Sequence, residues 1–209
     1  MQTTGIILAG GKSTRMGTNK ALLDINGKKV IERIIDELRH NVNNMIIVTN
    51  SFEDYKFLQL PMVKDRYKGM GPLAGIHAGL SASDTERNLI VACDMPFVSP
   101  ALGTLLLEEL SEYQAVVPEI EGQLHPLFAA YRKDVQEEIE EALKREQLRI
   151  RSFFDRIHVK ILTETQLENL GYHFNSTDFY NMNHPEEYHQ AKNMSKGRKE
   201  RVNHEIFSS

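Results

Sequence analysis

The chain of 209 residues is 41% hydrophobic and 26% charged, which are ordinary values for a globular protein of one domain. Its single cysteine, Cys93, excludes a disulfide framework within the chain and every metal site built from several cysteines. The net charge of −4 argues against general nucleic-acid binding, and no apolar run is long enough to predict a membrane span. The N-terminus lacks the pattern of a secretory signal, so we expect a cytoplasmic enzyme.

The charge is unevenly distributed along the chain. Residues 192–209 carry five basic and two acidic side chains, a balance of +3 that leaves −7 for the remaining residues. We therefore expect one catalytic domain over residues 1–194, followed by a flexible basic tail over residues 195–209. An arm that binds a partner or a nucleic acid is the alternative interpretation of this tail.

Short apolar runs alternate with amphipathic patterns along the chain. The apolar runs predict strands near residues 5–8, 45–49, 61–64, 88–93, 115–117, 127–130 and 159–162. Helical spacing and capping residues predict helices near residues 28–42, 52–58, 72–80, 100–110, 131–143, 153–155 and 185–194. This alternation predicts right-handed βαβ units, and hence an α/β fold with three α/β/α layers around a mostly parallel sheet.

Polar segments follow three of the predicted strands. They are the loop 9–19, the stretch from Asp65 to Gly75, and Asp94. In sheets of this kind the ligand lies outside the carboxyl ends of the strands. We therefore expect the three segments to gather at one edge of the sheet and to form the functional site.

The loop after the first predicted strand combines adjacent glycines with basic side chains. Gly10 and Gly11 let the backbone approach a ligand closely, while Arg15 and Lys20 offer positive charge to phosphate oxygens. The loop is not a Walker A motif, because Ile6 stands where that motif requires a glycine. It predicts a phosphate or nucleotide site.

Two carboxylates are candidates for the rest of the site. Asp94 follows an apolar strand, where it is well placed to hold Mg²⁺ whose other ligands are phosphates. Asp65 is a second candidate, for the metal or for hydrogen bonds to a ribose or base. We interpret Cys93 as a packing residue, and His125 either borders the site or lies in a surface turn. No hydrolytic motif is recognisable, which favours group transfer over hydrolysis.

Several ordered motifs in the chain resemble one known family. They lie at residues 8–23 (LAGGKSTRMGTNKALL), at Asp65 with residues 71–76 (GPLAGI), at residues 93–97 (CDMPF) and at residues 181–187 (NMNHPEE). The first is similar to the signature of nucleotidyltransferases built like sugar-phosphate nucleotidyltransferases. Within that group the four motifs most resemble the molybdenum cofactor guanylyltransferases. His184 replaces the threonine that is more usual in the last motif.

The resemblance implies a Rossmann-like nucleotidyltransferase fold and a Mg²⁺-dependent reaction. GMP would pass from GTP to molybdenum-molybdopterin, giving the guanine dinucleotide cofactor and pyrophosphate. The residues implied for GTP binding are Leu8, Ala9, Gly10, Lys20, Asn50, Asp65 and Asp94. Asp94 would also hold the metal, and it would take part in catalysis together with Lys20 and Arg15. Asn181 and Asn183 would bind the acceptor.

The implied partners are the two substrates and proteins that insert molybdenum or mature molybdoenzymes. The resemblance implies no nucleic-acid partner and no membrane partner. A cytidylyltransferase or a sugar-phosphate nucleotidyltransferase would share the first motif. A non-catalytic module that binds GTP during assembly is a third alternative. Preference for CTP over GTP would indicate the cytidylyl reaction, and absence of pyrophosphate release would indicate the non-catalytic module.

Overall fold

The computed structural model describes residues 2–10, 19–175 and 177–206, with the backbone alone for the last ten. The strands are β1 (Thr3–Leu8), β2 (Asn44–Val48), β3 (Met62–Val63), β4 (Arg87–Ala92), β5 (Ala115–Ile120), β6 (Gln123–Leu124), β7 (Phe128–Arg132) and β8 (Val159–Thr163). The helices are α1 (Val30–Leu38), α2 (Phe52–Tyr55), α3 (Gly71–Ala82), α4 (Pro100–Glu109), α5 (Val135–Lys144), α6 (Glu164–Asn169) and α7 (Pro185–Ile206). Among the described residues, no helix has both the length and the apolar composition needed to cross a membrane.

The described strands form one sheet in the order β3-β2-β1-β4-β7-β5-β6, and β8 pairs with β5. β1 lies parallel between β2 and β4, β3 is parallel to β2, and β8 is parallel to β5. β7 runs antiparallel between β4 and β5, so the amino end of β7 lies beside the carboxyl end of β4. The α/β fold with a mostly parallel sheet is therefore confirmed.

Helices cover both faces of the sheet. Successive side chains of β1 point to opposite faces, so Ile7 packs with α1 and α4 while Ile6 and Leu8 pack with α3 and α5. Strands that are buried on both faces consist of continuous apolar runs, which is why β1, β2 and β4 are recognisable in the sequence. The arrangement confirms the three α/β/α layers.

Helix α3 lies very close to β1 at one glycine. A Cβ atom at Gly79 would stand 2.3 Å from Ile6 Cγ2, so any other residue there would displace the helix or the strand. At Gly75, one turn earlier, a Cβ atom would stand 3.4 Å from Leu8 Cδ2, which is ordinary van der Waals contact.

Some element boundaries differ from those that the sequence predicts. Tyr131, which helical spacing assigns to a helix, is a fully buried strand residue in β7, and α5 begins only at Val135. The sequence patterns predict neither α6 nor β6. α7 continues to Ile206, past the predicted end near residue 194, and the division into a domain and a flexible tail stays a prediction.

Candidate active site

The carboxyl ends of the three central parallel strands are joined by backbone hydrogen bonds. Ala9 N donates to Val48 O at 2.9 Å, and Cys93 N donates to Leu8 O at 3.2 Å. The residues that follow β1 therefore lie between those that follow β2 and β4. The described parts of the three polar segments predicted to gather at one edge of the sheet do lie at this edge.

Lys20 connects three separate segments at this edge. Its Nζ donates to Asn183 Oδ1 at 3.0 Å and lies 3.9 Å from Asp94 Oδ2. The Lys20 and Asp94 side chains are only 15% and 26% exposed, so water screens their charges less than at an open surface. The structure thus brings together a predicted phosphate-binding lysine, a predicted metal ligand and a predicted acceptor residue.

The position of Lys20 is fixed by a hydrogen-bonded group that the sequence did not reveal. Asn19 Oδ1 accepts from Ala21 N at 3.2 Å, which caps the short 3-10 turn that starts at Lys20. Asn19 Nδ2 donates to Tyr55 Oη at 2.9 Å, and the Tyr55 hydroxyl donates to Ala9 O at 3.2 Å. One buried tyrosine of α2 therefore ties residues 9 and 19, the two described ends of the glycine loop, to each other.

Asp94 lies in surroundings that disfavour its charge. Burial raises the pKa of its carboxyl above the ordinary value, and the Lys20 ammonium opposes that rise. Among the described residues, no group of three or more His, Cys, Asp or Glu side chains could hold a metal ion. One carboxylate beside an open edge fits a Mg²⁺ ion that takes its other ligands from phosphates and water, rather than one held in a cage of protein ligands.

Cys93, the neighbour of Asp94, has the properties of a packing residue. Burial raises the pKa of its thiol to about 12, and its side chain packs against the core on the face of the sheet that α1 and α4 cover. A nucleophilic cysteine needs the opposite shift, because the thiolate is the reactive form.

Asp65 lies at the far end of the same edge. Its Oδ1 accepts from Tyr67 N at 2.8 Å, and burial raises the pKa of its carboxyl. It follows β3, which is three strands away from β4, so about 14 Å of sheet separates the two carboxyl ends at the usual strand spacing. This separation does not suit a metal shared with Asp94, and it suits the opposite end of an extended ligand.

The other predicted nucleotide residues lie between these two points. Leu8 and Ala9 are each 8% exposed, whereas Gly10 is exposed. Asn50 is exposed, two residues beyond the end of β2. Arg15 belongs to residues 11–18 and lies outside the described residues.

The predicted acceptor residues flank a buried anchor. Asn181 and Asn183 are half-buried, while Met182 between them is fully buried and its N donates to Asp94 O at 2.9 Å. This alternation of half-buried and buried side chains is typical of an extended segment that presents every second side chain to the site. Of the two asparagine side chains, Asn183 accepts the hydrogen bond from Lys20.

A glutamate and a histidine complete the described edge. Glu187 Oε2 accepts the backbone N–H groups of Asn183 and His184, the latter at 2.8 Å. His125 follows β6, and its ring lies 4.3 Å from the ring of Phe179. Burial lowers the pKa of His125, so its ring is neutral at neutral pH.

Comparison with known proteins identifies the family of the chain. The family model of the MobA-like NTP transferase domain matches residues 5–161, which is most of the chain. The protein is a nucleotidyltransferase enzyme. More narrowly, it belongs to the MobA-like NTP transferase family.

Individual relatives resemble the chain over most of its length. A probable molybdenum cofactor guanylyltransferase of Carboxydothermus hydrogenoformans is 39% identical over 168 residues, covering 80% of this chain and 85% of that protein. One from Pelotomaculum thermopropionicum is 36% identical, covering 93% and 94%. The crystal structure of molybdopterin-guanine dinucleotide biosynthesis protein A from Archaeoglobus fulgidus superposes with a TM-score of 0.78 at 25% identity, covering 93% of this chain and 99% of that chain.

Proposed function

We propose that the protein transfers GMP from GTP to molybdenum-molybdopterin in a Mg²⁺-dependent reaction that releases pyrophosphate. The names of its relatives support this reaction. The observation that carries the proposal is the position of the Lys20 ammonium, 3.0 Å from Asn183 Oδ1 and 3.9 Å from Asp94 Oδ2. One cation thereby lies where the predicted nucleotide and acceptor segments meet. The proposed partners are proteins that insert molybdenum or mature molybdoenzymes, and the proposed location is the cytoplasm.

GTP would lie along the carboxyl edge of the sheet. The guanosine would contact Asp65, Asn50 and the backbone of residues 8–10, with the triphosphate directed toward Lys20. One carboxylate oxygen of Asp65 accepts a hydrogen bond from Tyr67 N, which orients the carboxylate. The other oxygen can then accept a hydrogen bond from a base or ribose. The separation of about 14 Å between the ends of β3 and β4 supports this direction.

Asp94 would hold Mg²⁺, which when bound would withdraw charge from the phosphate oxygens. Lys20 and Arg15 would stabilise the charge on the α-phosphate and the leaving pyrophosphate. Such fixed cations contribute most where charge develops in the transition state, because they need no reorganisation during the reaction.

The transfer step follows from the chemistry of phosphates. An oxygen of the acceptor's terminal phosphate attacks the α-phosphorus of GTP, and the bond from that phosphorus to the bridging oxygen of pyrophosphate breaks in line. The attacking phosphate is already ionised near pH 7, so no strong general base is needed. Asn181 and Asn183 would orient the acceptor, and catalysis consists of positioning and charge stabilisation.

The decisive experiment measures pyrophosphate release by the purified protein with molybdenum-molybdopterin, Mg²⁺ and either GTP or CTP. Release that requires both GTP and the acceptor supports the proposal. Preference for CTP would replace it with the cytidylyl reaction. Tight GTP binding without release, in the presence of the acceptor, would indicate a non-catalytic module instead.

A further inference from the structure

We propose that Glu187 is a positioning residue for Lys20. Its carboxylate fixes the backbone at Asn183, and the Asn183 amide in turn holds the Lys20 ammonium short of a hydrogen bond with Asp94. The inference deepens the proposed function, on which it rests through the role of Lys20 in transfer.

The Glu187 carboxylate binds two adjacent backbone groups. Its Oε2 accepts from Asn183 N and, at 2.8 Å, from His184 N. Helix α7 begins at Pro185, so Glu187 is its third residue and binds the N–H of the residue before the helix, as in half of a capping box. Hydrogen bonds to a carboxylate are roughly twice as strong as those between neutral groups.

A third bond holds the same stretch of backbone from the other side. The preceding N–H group, that of Met182, donates to Asp94 O at 2.9 Å, and the Met182 side chain is fully buried. Three consecutive N–H groups, at residues 182, 183 and 184, are therefore bound. The Asn183 side chain consequently projects from a backbone that cannot rotate without breaking at least one of these bonds.

This fixed backbone determines what Lys20 contacts. The ammonium has three N–H donors, and one of them is occupied by Asn183 Oδ1 at 3.0 Å. The distance of 3.9 Å to Asp94 Oδ2 is longer than a hydrogen bond. If Asn183 were released, the ammonium would close onto the Asp94 carboxylate, since opposite charges attract more strongly where water is scarce. Lys20 would then be drawn away from the negative charge that develops on the α-phosphate and the leaving pyrophosphate during transfer.

The test compares three variants for GMP transfer, GTP KM and thermal unfolding. Glu187→Ala removes the acceptor oxygen, whereas Glu187→Gln keeps one and so conserves the geometry without the charge. Glu186→Ala is the matched control, because Glu186 is an exposed neighbour in the same first helical turn. We expect kcat to fall about 10- to 100-fold in Glu187→Ala with little change in KM, to recover to within about 3-fold in Glu187→Gln, and to be unaltered in Glu186→Ala.

A double-mutant cycle with Asn183→Ala separates positioning from general destabilisation. If Glu187 acts through Asn183, the change Glu187→Ala adds less than about 2-fold to the loss already caused by Asn183→Ala. Losses that multiply, or equal losses in Glu187→Ala and Glu186→Ala, would overturn the proposal. If Glu187→Ala does not fold, the cycle is run with Glu187→Gln, whose smaller loss should likewise vanish in the Asn183→Ala background.

Amide hydrogen exchange tests the arrangement without any substrate. The amides of Asn183 and His184 should exchange slowly in the wild type and in Glu187→Gln, and at least about 10-fold faster in Glu187→Ala. Equal exchange in all three would refute the positioning role. Because this measurement needs no nucleotide, slow exchange together with absent GMP transfer would overturn the proposed function and leave the contact network supported.

Discussion

At the residue scale, the Lys20 ammonium lies between the Asn183 amide and the Asp94 carboxylate. Lys20→Ala removes the ammonium while the cap of its turn, made by Asn19, remains. We expect the rate of GMP transfer to fall by about 10²–10³, as is typical when one preorganised charge-stabilising group is lost. Steady-state pyrophosphate release measures this, with Lys56→Ala as the control because Lys56 is exposed and pairs only with the exposed Glu53 among the described residues. A Lys20→Ala rate near that of the control would remove Lys20 from the site.

Asp94 is expected to serve activity at some cost to stability. Its raised pKa means that folding disfavours the ionised carboxylate, so Asp94→Asn should leave the melting temperature the same or higher. Transfer should nevertheless fall below detection, because the neutral amide is a poor ligand for Mg²⁺. Calorimetry and the pyrophosphate assay check the two effects on one sample, and retained transfer would contradict the assignment.

His77 is expected to make the free energy of unfolding depend on pH. It is 3% exposed in α3, its Nδ1 has no hydrogen-bond partner among the described residues, and burial lowers its pKa. Glu140 and Asp65 oppose this shift, while Arg66 and Lys144 reinforce it. The unfolded chain therefore binds a proton at His77 more readily than the folded chain, so stability is full above the unfolded value of 6.5.

As the pH falls below 6.5, the free energy of unfolding should decrease until the pH has passed the lowered pKa of His77. Urea denaturation between pH 8 and pH 5 measures this decrease. His77→Gln has no titrating group at this position and should show a smaller decrease over the same interval. Parallel pH profiles for the two proteins would show that His77 is not responsible.

The sequence revealed the polar residues of the site but not their supports. Lys20 and Asp94 were identifiable because they follow predicted strands, and Asn183 was implied by the family resemblance of the last motif. The structure brings the three together. The role of Tyr55 could not be predicted, since a tyrosine in a short helix has no local signal for a bond to Ala9. The chemical roles of Lys20, Asp94 and Asn183 stay predictions until they are measured.

Helix α3 illustrates at the element scale how closely a helix can approach the sheet. Gly79→Ala would place a methyl group 2.3 Å from Ile6 Cγ2 in a filled core. We expect a loss of about 1–3 kcal/mol in the free energy of unfolding, as for other overpacked cores. Gly75→Ala is the matched control, because its 3.4 Å contact is ordinary and alanine favours helix. Equal stability of the two variants in urea denaturation would contradict this explanation.

The direction of a strand was harder to predict than its presence. β1 and β4 are evident because burial on both faces gives uninterrupted apolar runs. The helical spacing of α5 extends back to Tyr131, so the sequence predicts helix for part of β7. The antiparallel direction of β7 depends on pairing with distant strands. Local periodicity carries no information about such long-range pairing.

At the scale of the whole molecule, α7 attaches the end of the chain to its beginning. Tyr188 Oη donates to Asp24 O at 2.6 Å, and Asn26 Nδ2 donates to Lys192 O at 3.0 Å. Ala191 is fully buried and Ser195 is 3% exposed, so the first half of this helix belongs to the core.

We expect a chain ending at residue 196 to keep its melting temperature and its transfer rate. A chain ending at residue 189 should melt at a lower temperature, because it loses two buried residues and a bond to the first part of the chain. Differential scanning calorimetry and the pyrophosphate assay compare the two truncations. A large loss in the longer chain would place essential contacts beyond residue 196 and change the proposed boundary between domain and tail.

The bond between Lys20 and Asn183 joins residues that are 163 positions apart. β1, β2, β3 and β4, which carry the proposed nucleotide end, are complete by residue 92. During synthesis on the ribosome, the lysine emerges long before its amide partner, and the acceptor end cannot assemble until nearly the whole chain has left the exit tunnel. A nascent chain that has not yet reached Asn183 therefore lacks the amide that holds the Lys20 ammonium, so Lys20 acquires this partner only after residue 183 has been synthesised.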